Sequence, residues 1–503
     1  MHILHIIPAV GPGGACRAMV NLARQLCQSS LRQSIVALQP LALWELSAET
    51  ELGLVKTAHS LSQESVCQLI SQADIVHGHF WNHPRLYQFF QQALPPMRLV
   101  LWSHVGGVAS PQVVPAEVVD LSDRFVATSP YTLHELAQQP WYSHQRQKLT
   151  TILPFTAPER LGPGPTQPHE GFTIGYIGTT TPNKIHPRFV SMSAAVKETA
   201  VRFTVCGGEK GCQQLQLQAQ ELGVAHRFDF KGYVKDVKSV LATLDVFGYP
   251  LCADNYSTTE LVLQEAMAAG VPPVVLNHGG AGRTVIHNQT GLVVEDEAAY
   301  GDALRYLYHH PQERQRLARQ AQDYARQHFS PRSLTQQWLG LYEQLRQRPK
   351  RQRRLRVATG KEAFIRSLGH RGDPFYTSAA DRDLESLLTA DAAVAAASPV
   401  LCDRTGGGIR HYQETYRQDP YLLFWTGLTF QHQGDNVRAL GSLLQAQKLG
   451  FPHWRIALYL LRAARALGAG DLARQYQAAL APHLTPYPHL AQDLEQPEVL
   501  THG

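Results

Sequence analysis

Between residues 254 and 294 the chain reads as loop, apolar helix, buried strand, glycine turn and strand, with Ser257, Glu260, Glu265 and Arg283 along it. Strand ends and helix starts converging in this way at the edge of an open parallel sheet make a phosphate site, because backbone N–H groups and the helix dipole favour an anion. Ser257 followed three residues later by Glu260 is a capping-box spacing, which predicts a helix opening there and accounts for Glu260 as its cap. Leu261, Val262, Met267 and Ala268 give that helix a buried face, and Gly270 with Pro272 ends it. Glu265 then falls inside an apolar helix, where a carboxylate is costly unless paired or hydrogen-bonded. Sugar hydroxyls are partners that suit it. Gly11-Pro-Gly-Gly14 follows the first apolar run and opens a helix, so backbone at Gly13 and Gly14 can approach a phosphate or an acceptor closely; the alternative is a tight turn needing positive φ. His104 ends the run Leu99–Ser103, and His77 and His79 end another, with Trp81 beyond. A neutral imidazole hydrogen-bonds a hydroxyl without adding charge. No Asp or Glu stands at ligand spacing to these histidines, so no metal is expected.

The elements that must position these groups alternate in type. Ile3–Ile7, Asp74–His79, Leu99–His104 and Arg124–Thr128 are buried strands separated by helical spacing, such as Ala18, Met19, Leu22 and Leu26, over residues 1–157. A Pro/Gly-rich connection from Ala157 to Pro168 reads as a linker. A second alternating unit, 172–330, starts at Phe172–Gly178 and continues through Phe203–Gly208, which includes Gly207, and Asp245–Pro250. Both are expected to be doubly wound α/β units. Residues 331–345 form a last helix, 346–378 a basic linker, and 379–503 a helical domain. In that domain Gly434-Asp and Gly470-Asp, with small and aromatic residues between, predict two copies of a tetratricopeptide-like hairpin; a plain helical bundle is the alternative.

The 503 residues are 44% hydrophobic and 17% charged, a composition of ordinary globular domains, and no apolar run reaches the ~18 residues of a membrane span. The start lacks the marks of a signal peptide. Seven cysteines without a Cys-x-x-Cys argue against a disulfide framework or zinc site and for a reducing cytosol. Residues 346–356 carry seven basic side chains and no acid. A solvated linker, an anionic membrane inner face and, last, nucleic acid are the open readings; no aromatic interleaving supports base stacking.

The stretch 254–294, with Glu-Ala-Met-Ala-Ala-Gly-Val-Pro at 265–272, resembles the C-terminal signature of family-four retaining glycosyltransferases of the GT-B fold. The resemblance runs from the first strand to about Leu345. It implies two Rossmann-like domains facing a cleft, the first for the acceptor and the second for a nucleotide-sugar donor, with the 331–345 helix crossing back to the first. It implies no cofactor beyond the nucleotide-diphosphate sugar substrate. Donor contacts carried over are Gly13, Gly14, Gly178, Lys184, Gly207, Ser257, Thr258, Thr259, Glu265 and Arg283, with His104 and Lys184 as the catalytic pair. The family pattern has two glutamates eight positions apart, and Ser257 stands at the first. Thr179 stands where an arginine usually precedes the phosphate-binding lysine, and Arg283 where an acid is common.

The implied chemistry is transfer of a sugar to a hydroxyl, with Lys184 and a helix N-terminus stabilising the departing diphosphate. Retention follows if the acceptor attacks the face the diphosphate leaves. A catalytically degenerate sugar-binding or scaffold protein is the alternative, since three positions depart from the pattern; a nucleotide-sugar epimerase ranks lower. Residues 379–503 are the expected surface for a protein partner.

Overall fold

The computed structural model describes residues 1–11, 13–29, 31–39, 55–57, 60–156, 171–181, 184–357 and 359–490. The Pro/Gly-rich connection expected from 157 to 168 lies outside them. Strand–helix alternation folds the first 356 residues, apart from 82–84, into one unit containing two parallel sheets. Among the described residues the first sheet has seven strands: β1 (His2–Ile7), β2 (Arg32–Ala37), β3 (Val55–Thr57), β4 (Ile75–Phe80), β5 (Leu99–Ser103), β6 (Arg124–Ala127) and β7 (Leu149–Thr151), ordered β3-β2-β1-β4-β5-β6-β7. The second has six: β8 (Phe172–Ile177), β9 (Val201–Cys206), β10 (Phe228–Gly232), β11 (Val246–Tyr249), β12 (Pro273–Leu276) and β13 (Leu292–Val294), ordered β10-β9-β8-β11-β12-β13. Strand order reverses beside β1 and β8, and at such switch points the carboxyl ends of neighbouring strands leave a crevice for ligands.

Every residue of β1, β4 and β5 is buried, as expected for parallel strands covered on both faces. Helices supply the cover. Ala18, Leu22 and Leu26 of the helix Gly14–Cys27 join Ile3, Ile75, Val100, Trp102 and Val126 in one core. The helix Pro331–Arg346 completes that core with Leu334, Trp338, Leu341, Tyr342 and Leu345, so the chain returns to the first sheet after building the second. The helix Leu261–Ala268 ends at Gly270, whose φ of +77° is a conformation only glycine adopts without strain.

The basic run is not a solvated linker. Arg351 pairs with Met97 in an antiparallel bridge, Arg354 donates to the Gln91 carbonyl, Lys350 donates to the Ser71 carbonyl, and Leu355 is buried. Arg353 forms an ion pair with Asp123, both nearly buried. Several of the charges attributed to a free linker are thus bound at the amino ends of β4, β5 and β6.

Residues 82–84 and 357–503 make the second unit. Its helices include Leu384–Ala395, Pro420–His432, Asn436–Lys448, Ile456–Ala466 and Gly470–Leu484. The last four form two hairpins, each turned by a glycine at positive φ, Gly434 at +77° and Gly468 at +67°. The equivalent of Gly434 is therefore Gly468, 34 positions on, and not Gly470 as the Gly-Asp spacing suggested. Asp391 and Arg455 are buried and paired at 2.8 Å. Ser378 and Tyr459 donate to Asp391, and Trp425 donates in turn to Ser378, so the buried charges are satisfied. Among the described residues no helix is long and apolar enough to cross a membrane.

Candidate active site

The segments that follow β8 and β11 are stitched together: the His186 amide donates to the Pro250 carbonyl at 3.0 Å, and the Cys252 amide to the Lys184 carbonyl at 3.0 Å. This places Lys184 under the loop that enters the helix Leu261–Ala268. Its side chain is only 7% exposed and its Nζ lies 2.6 Å from Glu260 Oε1 and 5.1 Å from the centroid of the Tyr256 ring. Glu260 also accepts from Ser257 Oγ at 2.7 Å and from Tyr249 Oη at 3.0 Å. Burial works against the Lys184 ammonium, and the Glu260 carboxylate with Tyr256 outweighs it, leaving the lysine above its ordinary range. Burial likewise works against the Glu260 carboxylate, and Lys184, Ser257 and Tyr249 hold it below the usual range. Both groups are charged at neutral pH.

This corrects the capping-box reading of Glu260. The helix starts at Leu261, with Glu260 itself at the cap position and making no side-chain capping bond. Ser257 donates its hydroxyl to Glu260 instead of accepting an amide. A buried ammonium is a stronger partner for a carboxylate than a neutral N–H, and it draws the side chain away from the helix.

The loop is also fastened across to the first sheet. The Gly106 amide donates to the Tyr256 carbonyl at 2.9 Å; Thr258 Oγ1 meets Thr128 Oγ1 at 2.9 Å and Thr132 Oγ1 at 3.2 Å; Thr259 Oγ1 donates to the Thr128 carbonyl at 2.7 Å. Thr258 and Thr259, expected as donor contacts, thus spend their hydroxyls joining the two sheets. Close approach needs glycine at Gly106 and Gly280, where a Cβ would stand 2.9 Å from the Ser257 carbonyl oxygen and 1.5 Å from the Thr258 carbonyl oxygen. His104, two residues before Gly106, comes to the same place.

The other expected residues divide in two. Arg283, on the short helix Ala281–Thr284, is exposed, makes no ion pair among the described residues, and lies close enough to act on the Tyr131 hydroxyl. Tyr131 in turn borders Gly106. Glu265 is 2% exposed on the helix after Glu260. Gly178 and Gly207 are packing positions: a Cβ would reach the Tyr249 hydroxyl at 3.2 Å in the first and Thr180 Cγ2 at 2.5 Å in the second. Thr179 is exposed and its carbonyl accepts from Tyr176. Gly13 caps the helix Gly14–Cys27 at φ −70°, so no positive φ is required there, and both Gly13 and Gly14 face open space at the end of β1.

Histidines fill the first-sheet side. His5 on β1 sits in register with His77 on β4. His5 Nδ1 lies 3.1 Å from His79 Nε2, His79 Nδ1 3.0 Å from His104 Nε2, and His77 Nδ1 2.7 Å from the Tyr342 hydroxyl. Burial pushes His5 down to about 4 and His104 to about 3, and His77 and His79 well below the ordinary value. All four are neutral at pH 7. His5, His77 and His79 offer nitrogens within 4.8 Å of one another, the one such cluster among the described residues that suits a metal ion, although four of their six ring nitrogens already serve the hydrogen bonds above. Glu260 and His5 were missed as site residues; the rule that a buried polar group needs a partner, applied to Glu265, applies equally to both.

A family model described as "Glycosyl transferases group 1" matches residues 163–324. A GDP-mannose-dependent alpha-(1-6)-phosphatidylinositol monomannoside mannosyltransferase of Mycobacterium tuberculosis is 31% identical over 145 residues, 27% of this chain and 36% of that protein. Mannosylfructose-phosphate synthase of Agrobacterium fabrum is 25% identical over 244 residues, 44% of this chain and 53% of that protein. The chain thus spans about a third to a half of these relatives. Among solved structures, Anabaena Alr3699/HepE in complex with UDP superposes with a TM-score of 0.56 at 19% identity, over 68% of this chain and all of that one. A glycosyltransferase from Rickettsia africae gives 0.57 at 16% identity, over 69% of this chain and 98% of the other. Residues 163–324 are therefore similar to group 1 glycosyl transferases, and the two parallel sheets share the GT-B architecture of these solved structures.

Proposed function

We propose that the protein moves a sugar from a nucleotide-diphosphate donor to a hydroxyl acceptor, with retention of configuration. The observation that carries this reading is the charged Lys184–Glu260 pair, held at the carboxyl edge of the second sheet and joined through Tyr256 and Gly106 to the strand end bearing His104. The names of the relatives support it, since those proteins are sugar transferases or synthases and one neighbour holds UDP. In this reading Lys184 contacts the departing diphosphate as negative charge develops. Arg283 adds the uncompensated positive charge that Lys184, balanced by Glu260, does not supply. Exposed backbone at Gly13 and Gly14 opens a helix toward the crevice, Glu265 takes ribose hydroxyls, and His104 meets a sugar hydroxyl. Glu260, already holding three partners, is a counter-ion and not a nucleophile. The acceptor then attacks from the face the diphosphate vacates, and a phosphate oxygen takes its proton.

The same ion pair favours a second reading, a protein that binds nucleotide sugar without turning it over, because Glu260 cancels the charge of the buried Lys184. In either case the paired hairpins turned by Gly434 and Gly468 are read as a tetratricopeptide-like surface for a protein partner. None of the seven cysteines is in a disulfide, which fits a reducing compartment. Incubation with a panel of nucleotide sugars decides between the two: nucleotide release supports transfer, and saturable binding without release supports the second.

A further inference from the structure

The hydrogen bonds around the histidines have a direction that can be read from one end. The Ala23 carbonyl can only accept, and Gln33 lies 2.9 Å from it, so the Gln33 amide nitrogen faces Ala23 and its oxygen faces His5. His5 Nε2, 3.3 Å from Gln33 Oε1, must therefore carry the proton. A neutral imidazole has one proton, which leaves His5 Nδ1 as an acceptor and makes His79 Nε2 the donor to it. The same step repeated makes His104 Nε2 the donor to His79 Nδ1.

The rings suit such a chain. His5 and His79 have centroids 5.4 Å apart with planes inclined by 25°, and His79 and His104 have centroids 5.3 Å apart at 15°. A separation of about one hydrogen bond plus a ring radius at each end is that of imidazoles set edge to edge, nearly in one plane. Lone pairs lying in such a plane point along the chain. The chain starts at an amide that has no proton to pass on, so it orients rings and does not conduct protons. At its far end His104 is partly exposed, and its Nδ1 makes no hydrogen bond among the described residues and is not sealed from solvent.

We propose that Gln33, His5 and His79 are positioning residues that hold His104 in a single tautomer, with a lone pair at Nδ1, making it a subsite that takes a ligand hydroxyl and refuses a carbonyl or an anion. The ligand class rests on the transferase reading; the tautomer assignment does not. A site that can only accept a hydrogen bond discriminates against an analogue lacking the hydroxyl, because the lone pair is then left without its donor.

The test is nuclear magnetic resonance of the full chain labelled with ¹⁵N-histidine. Two couplings across N–H···N bonds are expected at neutral pH, with the proton on Nε2 of His79 and on Nε2 of His104. A proton on Nδ1 of His104, or absence of both couplings, overturns the proposal without any variant having to fold. The second arm compares Gln33→Leu with Gln33→Glu, which retains an acceptor. Gln33→Leu is expected to show a second His104 tautomer and a turnover lower by about tenfold, the loss of about one hydrogen bond, with Gln33→Glu recovering most of both. An unchanged His104 spectrum in Gln33→Leu, or equal losses in the two variants, refutes the positioning role. If the unaltered chain releases no nucleotide from any donor, the transferase reading falls, while the couplings still decide the tautomer.

Discussion

Glu260→Gln is the substitution whose cost follows most directly from the structure. It keeps the shape of the side chain and removes its charge, so Lys184 is left 7% exposed beside Tyr256 with no carboxylate. Removing one member of a buried pair costs about 3–5 kcal/mol, chiefly the desolvation of the charge that remains. Glu260 is 16% exposed, so water relieves part of this, and the lower end, about 3 kcal/mol, is expected. Adding Lys184→Met should restore most of the loss, because the stranded charge goes with it. The pH dependence has a definite sign. Glu260 lies below its ordinary range, so its contribution is present above about pH 4.3 and lost as pH falls through its folded value. Lys184 lies above its range, so its contribution is present below about pH 10.4 and lost at higher pH. Hydrogen exchange of the β8 and β11 amides at neutral pH reads this local stability even in a chain of two units. Protection in Glu260→Gln within about 1 kcal/mol of the parent would refute the reasoning.

Three further outcomes are expected. Stability should fall as pH drops below about 6.5, because the unfolded chain takes up protons that His5, His77, His79 and His104 refuse; each adds about 1.4 kcal/mol per pH unit until its folded value is reached, and acid titration followed by circular dichroism checks it. Arg455→Ala should cost about 3–5 kcal/mol by stranding Asp391, with Arg455→Met plus Asp391→Leu recovering most of it in denaturant unfolding of the helical unit. A chain ending at Arg356 should unfold at a higher temperature than one ending at Leu345, since only the longer keeps Arg353 on Asp123 and the buried Leu355.

The two-sheet architecture was legible because it rests on local signals: apolar runs of strand length, glycine at strand ends, and the Gly270–Pro272 stop. What the chain did not disclose were pairings across long separations. Glu260 looked like a cap because its nearest serine stands three residues back, whereas its strongest partner, Lys184, is 76 residues away. The basic run looked solvated because its carboxylate partner, Asp123, is 230 residues from Arg353. His5 lies on a strand that reads simply as core, and only the register of β1 against β2 and β4 brings it to Gln33 and His79. The repeat in the helical unit was displaced by two residues because a Gly-Asp pair was matched where the turn glycine, Gly468, was the equivalent feature.

The central claim is that the Lys184–Glu260 pair belongs to a site that breaks a sugar–diphosphate bond. The direct measurement is nucleotide release from the best donor of a panel, compared among the parent chain, Lys184→Ala and Arg283→Ala. Turnover in Lys184→Ala should fall by about a hundredfold or more, the loss of one transition-state contact of ~3 kcal/mol. Near-normal release from Lys184→Ala alongside loss in Arg283→Ala would move the diphosphate contact to Arg283, and normal release from both would contradict the placement of the donor site.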